Sequence, residues 1–140
     1  MVRILLVDDF EPFRSLVAEL LDGTAALSIV DEAADGLAAV EKAQRLTPDL
    51  VLLDIGLPDL NGIEVARRIR KSVPSAKIVF LTLETEVEMV REAISLGACG
   101  YIFKQRLGSD LIAGLATILQ GKQFISDGNA QRRGDFFIRN

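Results

Sequence analysis

Short, almost wholly apolar runs recur along this chain, and each is separated from the next by enough residues to form one helix. They lie at Arg3 to Val7, Leu27 to Asp31, Leu50 to Leu53, Lys77 to Leu81 and Cys99 to Phe103. A strand that is apolar at nearly every position is buried on both faces, and a helix-length connection lets neighbouring strands run parallel. The alternation therefore predicts an α/β domain, doubly wound around a five-stranded parallel sheet with helices on both faces; its strand order is taken as 2-1-3-4-5, the flavodoxin-like one of the two common doubly wound orders.

The connecting segments support this reading. Phe13, Leu16, Val17, Leu20 and Leu21 repeat at helical spacing, with Pro12 suited to the first turn and Gly23 to the stop. Asp35 is positioned to cap a second helix over roughly 36–46, and Ile63, Ala66 and Ile69 mark a third that ends near Pro74. Thr85 and Glu88 have the spacing of a capping box for a fourth helix closing at Gly97. Ser109 is placed to cap a fifth, with Leu111, Ile112, Leu115, Ile118 and Leu119 on one face and Gly121 as its end.

Several functions are disfavoured. The 140 residues, 49% hydrophobic, suit one domain over 1–121, with 122–140 as a C-terminal tail or linker stub in which Phe124, Phe136 and Phe137 remain able to dock. A net charge of −4 gives no footprint for direct nucleic-acid binding. No apolar run approaches the roughly 20 residues of a membrane span, and no cleavable signal opens the chain, so a cytoplasmic protein is expected. Cys99 is the only cysteine and histidine is absent, which removes disulfides, Cys/His zinc sites and histidine-dependent triads. Carboxylates, hydroxyls and lysine are left to carry the chemistry.

In open α/β sheets, ligands bind beyond the carboxyl ends of the strands. The first run, "ILLVDD", ends in Asp8 and Asp9, the third in Asp54, the fourth in Thr82, and the fifth leads through Tyr101 to Lys104. Strand 2 ends in Asp31 and Glu32 without a comparable signal. The predicted order brings Asp8, Asp9 and Asp54 into one pocket. Adjacent carboxylates repel unless a cation or proton answers them, and Mg²⁺ suits a few carboxylates together with phosphate oxygens. A lysine and a hydroxyl beside that cation complete a site for a phosphoryl group. Singly, each residue also has an ordinary structural reading: acids as caps, Thr82 as a strand end, Lys104 as a solvated cation, Tyr101 as partial core.

The set "VDD" at 7–9, "DIGLPDLNG" at 54–62, "LTLETE" at 81–86 and "GYIFK" at 100–104 resembles the receiver domain of two-component response regulators. The resemblance covers about residues 3–121. It implies that Asp54 accepts a phosphoryl group from a histidine kinase or phosphotransfer protein, in a Mg²⁺-dependent reaction. Asp9 would bind the metal directly, Asp8 largely through water, and Gly56 through its backbone carbonyl. Thr82 and Lys104 would contact phosphoryl oxygens, and Tyr101 would turn inward as Thr82 moves. The altered surface of helix 4, strand 5 and helix 5 would then meet a second copy or an output domain. "LQGKQFIS" further resembles the end of receivers that precede a helix-turn-helix domain, which implies control of transcription. Such a chain is a phosphoacceptor switch that assists its own phosphorylation and dephosphorylation rather than a turnover enzyme.

Two other classes compete less well. A haloacid-dehalogenase-type phosphatase spaces its two aspartates as D-x-D, whereas Asp8 and Asp9 are adjacent. A flavodoxin needs a hydroxyl-rich phosphate loop after strand 1, and "DDFEPF" is acidic.

Overall fold

The computed structural model describes residues 1–127. Its elements alternate as the apolar runs require: β1 Val2–Val7, α1 Glu11–Asp22, β2 Leu27–Ala33, α2 Gly36–Leu46, β3 Leu50–Leu53, α3 Gly62–Ser72, β4 Lys77–Thr82, α4 Val87–Ser95, β5 Gly100–Phe103, α5 Leu107–Leu119 and β6 Phe124–Ile125. All pairings are parallel, in the order β2-β1-β3-β4-β5-β6. The order of the first five strands is the expected one, and the sheet has six strands rather than five. Phe124 supplies the reason: its ring lies where Gly114 of α5 has no side chain, which seats two further residues against β5. Phe136 and Phe137 lie outside the described residues.

Because successive strand residues point to opposite faces, the sheet builds two cores. Ile4, Leu6, Leu50, Leu52, Val79, Leu81 and Ile102 pack against Val17 and Leu21 of α1 and Leu111, Leu115 and Ile118 of α5. Leu5, Val7, Val51, Leu53, Ile78 and Phe80 pack against α2, α3 and α4 through Ala39, Ala43, Val65, Ile69, Val90 and Ala93. The apolar stripes of α1 and α5 are narrower than the sequence suggests, and Leu16, Leu20, Ile112 and Leu119 remain exposed.

Two expected caps are corrected. α4 begins at Val87 with Glu86 at its N-cap and no side-chain cap bond, so Thr85 and Glu88 form no capping box. A 3₁₀ turn over Lys104–Arg106 runs directly into α5, which puts Ser109 inside the helix rather than at its cap. The α2 cap stands as expected, with the Asp35 side chain accepting from the Ala38 amide.

One irregularity matters for the site. The β1–β2 register runs Ile4 to Ile29 and then Leu5 to Asp31, leaving Val30 as an extra residue. Such a bulge exchanges the faces of the residues that follow. Asp31 accordingly meets Lys42 and Arg45 of α2, while Glu32 meets Arg14 of α1.

Candidate functional site

The carboxyl ends of β1, β3, β4 and β5 surround one open cleft of about 390 Å³, bordered by Asp9, Phe10, Asp54, Ile55, Gly56, Thr82, Leu83, Glu84 and Lys104. The Asp54 amide donates to the Val7 carbonyl, which continues the β1–β3 ladder and sets Asp54 beside the Asp8–Asp9 turn. One carboxylate oxygen from each of Asp8, Asp9 and Asp54 lies within 4.8 Å of the others. Asp8 and Asp54 are buried at 1% and 7% exposure, while Asp9 is open to solvent.

Lys104 reaches back across β4 into this cluster. Its Nζ lies 2.6 Å from Asp8 Oδ2 and 3.2 Å from Asp54 Oδ2, and 4.3 Å from the centre of the Phe13 ring. The sequence suggested a solvated lysine as its ordinary reading, but this side chain is largely covered. Burial pulls the ammonium down, yet the Asp8 contact and the charges of Asp54 and Asp8 outweigh burial and hold it above the usual lysine value.

Asp8 is the most deeply buried group of the cluster. Its Oδ1 accepts from the Phe10 amide at 2.8 Å. Its Oδ2 has one close partner, the Lys104 ammonium at 2.6 Å, which it shares with Asp54. Burial pushes the Asp8 carboxyl up; Lys104 and the Phe10 amide oppose this without cancelling it, and the Asp54 charge adds to the rise. Three convergent carboxylates, two of them buried and sharing a single ammonium, have the donor chemistry of a hard cation site. These residues fit Mg²⁺.

Thr82 ends β4, and its Oγ1 accepts from the Glu84 amide at 3.2 Å. Tyr101 is fully buried between Phe80 and Phe103, and its hydroxyl donates to the Glu84 carbonyl at 2.9 Å. Burial, then the Glu84 and Asp54 charges, push that hydroxyl well above the usual phenol value. The inward position expected only after switching is thus the one this structure holds. Leu83 projects into solvent at the rim, with 64% exposure.

Three supporting residues escaped the sequence reading. A Cβ at Gly62 would come 2.2 Å from the Asp54 carbonyl oxygen, so the "LPDLNG" loop can fold back over Asp54 only with glycine there. Asp59 in that loop accepts from the Gly36 and Leu37 amides, bonds that hold its carboxyl below the usual value and tie the loop to α2. Arg14 bonds the Asp8 carbonyl from α1. Gly62 was signalled by the "NG" pair; the other two depend on partners distant in sequence.

The sequence matches the response regulator receiver domain family over residues 4–116. The chain belongs to that family. Among its relatives, it is 30% identical over 132 residues to the response regulator UvrY of Escherichia coli, covering 94% of this chain and 61% of UvrY. It is 34% identical over 124 residues to the nitrate/nitrite response regulator NarL of Escherichia coli, covering 89% and 57%. The chain thus spans about three fifths of these curated relatives. A solved two-component response regulator of the LuxR family from Aurantimonas is 31% identical and superimposes with a TM-score of 0.90 over 99% of both chains.

Proposed function

We propose that this chain is a phosphorylation-activated switch in which Asp54 accepts a phosphoryl group from a histidine kinase or phosphotransfer protein. The observation that carries the reading is the convergence of three carboxylate oxygens within 4.8 Å, with the Lys104 ammonium 3.2 Å from Asp54. A cluster of acids repels a phosphoryl group unless positive charge is supplied. When bound, Mg²⁺ supplies that charge; Asp8, Asp9, Asp54 and the Gly56 carbonyl are the groups that would hold it.

In the transfer step an Asp54 oxygen attacks phosphorus. The new P–O bond replaces the P–N bond of a phosphohistidine, and the imidazole leaves with that electron pair and takes a proton from water. Lys104 redirects its ammonium from the carboxylates to the phosphoryl oxygens, and the Thr82 hydroxyl donates to them. Drawing Thr82 toward the phosphoryl group favours the buried position of Tyr101. A differential of about 1.4 kcal/mol between two states shifts their ratio tenfold.

The receiver domain is proposed to cover 1–121, with 122–140 as its C-terminal tail, part of which is β6. The face formed by α4, β5 and α5 is the proposed output surface, for a second copy or a downstream domain controlling transcription in the cytoplasm. The test is intact mass after treatment with acetyl phosphate and Mg²⁺. The wild type should gain one phosphoryl group, and Asp54→Asn none. An equal gain in Asp54→Asn refutes the assignment.

A further inference from the structure

Glu32 is the strand-end acid that the phosphoryl site leaves unused, and the fold gives it a partner. Its Oε1 accepts from Arg14 Nε at 2.8 Å, and Arg14 Nη1 donates to the main-chain carbonyl of Asp8 at 2.6 Å. The Arg14 side chain is only 15% exposed. One guanidinium therefore joins the end of β2 to the peptide linking Asp8 and Asp9.

That peptide is a rigid plane containing the Asp8 carbonyl and the Asp9 amide, so fixing one fixes the direction in which Asp9 leaves the strand. Asp9 needs such help. Its carboxylate is exposed, and among the described residues no hydrogen bond or ion pair holds it. Asp8, by contrast, is gripped by the Phe10 amide and Lys104.

The bulge at Val30 is what makes the arrangement possible. Ile29 packs into the core beneath α1, and an unbroken strand would turn Glu32 to the opposite face, toward α2. The extra residue returns Glu32 to the α1 side, where Arg14 stands. Charge adds a second reason for the pair: a bare guanidinium behind the diacid would oppose a divalent cation, and Glu32 offsets it.

We propose that Arg14 and Glu32 are a positioning pair for the Asp9 carboxylate, so that Mg²⁺ affinity depends on a salt bridge outside the cleft. The inference rests on the reading of Asp9 as a metal ligand. Arginine is suited to the role because its planar fork serves two acceptors at once, which a lysine ammonium does not reproduce.

The test is Mg²⁺ titration by calorimetry on the full chain without phosphodonor, alongside melting in EDTA. Groups that orient metal ligands typically change affinity by about 10–100-fold when removed, so Arg14→Ala should bind Mg²⁺ about tenfold more weakly. Glu32→Gln should show a smaller loss, and Arg14→Lys should recover only part of the affinity lost in Arg14→Ala. Asp9→Ala separates the two readings. If it loses Mg²⁺ binding while Arg14→Ala and Glu32→Gln keep wild-type affinity, the positioning role is overturned and the metal site stands. If Asp9→Ala binds as the wild type does, the metal reading itself falls. Should Arg14→Ala not fold, unchanged affinity in Glu32→Gln is sufficient to overturn the proposal.

Discussion

Asp8 and Asp110 are buried almost equally, at 1% and 5% exposure, yet their carboxyls are driven in opposite directions. Burial raises both. At Asp8 the donors do not offset it, and a second carboxylate stands close by. At Asp110 the Ser126 and Ser109 hydroxyls and the Arg106 guanidinium outweigh burial, and the carboxyl lies below its usual value. Ser126 donates to Asp110 at 2.6 Å, accepts from the Phe103 amide at 3.0 Å, and its own amide donates to the Tyr101 carbonyl. Asp110 is thus a fastening that holds the segment after α5 onto β5. The difference teaches that burial of an acid does not mark a site; burial without enough donors does.

The sharpest way to break this contrast is to neutralise each acid in turn. Asp110→Ala leaves the buried Ser126 hydroxyl without its acceptor, along with Ser109 and Arg106, and should cost about 3 kcal/mol in urea denaturation. Asp8→Asn removes a poorly solvated charge and, in EDTA, should be neutral or stabilising by up to about 1 kcal/mol. Equal losses at the two positions would erase the distinction.

Acid pH separates them by sign. The stability contributed by Asp110 is complete above the unfolded carboxyl value near 3.8 and is lost as pH falls through its lower folded value. Asp110→Asn should therefore lose less stability than the wild type below that pH, in melting series that track both proteins. Parallel acid curves would show that the fastening is not ionic. A smaller loss than that of Asp110→Ala belongs to Ser126→Ala, which removes one hydroxyl from the fastening and should lower stability by about 1 kcal/mol in urea denaturation.

How much of this was legible in the sequence depended on the range of the interaction. The first five strands follow from apolar runs and helix-length gaps, their order is the doubly wound one taken for them, and Asp8, Asp9, Asp54, Thr82 and Lys104 converge because each stands at a strand end. The local capping rules failed where a long-range bond competed. Thr82 and Tyr101 hold the backbone of Glu84, and residues 83–86 stay out of the helix that Thr85 would have capped. β6 is only two residues long and carries too little pattern to be read. Asp110 and Ser126 are 16 residues apart, and Arg14 and Glu32 are 18 apart. The spacing of either pair reveals nothing until the sheet and its bulge are known.

The central claim, that Asp54 is the phosphoacceptor, is tested most directly by locating the phosphoryl group. An aspartyl phosphate is an acyl phosphate, and borohydride reduces it at the carbonyl, releasing phosphate and leaving homoserine in place of the aspartate. After acetyl phosphate and Mg²⁺ treatment and reduction, peptide mass spectrometry should find homoserine at position 54 and aspartate at positions 8 and 9. Homoserine at position 8 or 9, or no reduced residue in a protein that has gained one phosphoryl mass, would contradict the account.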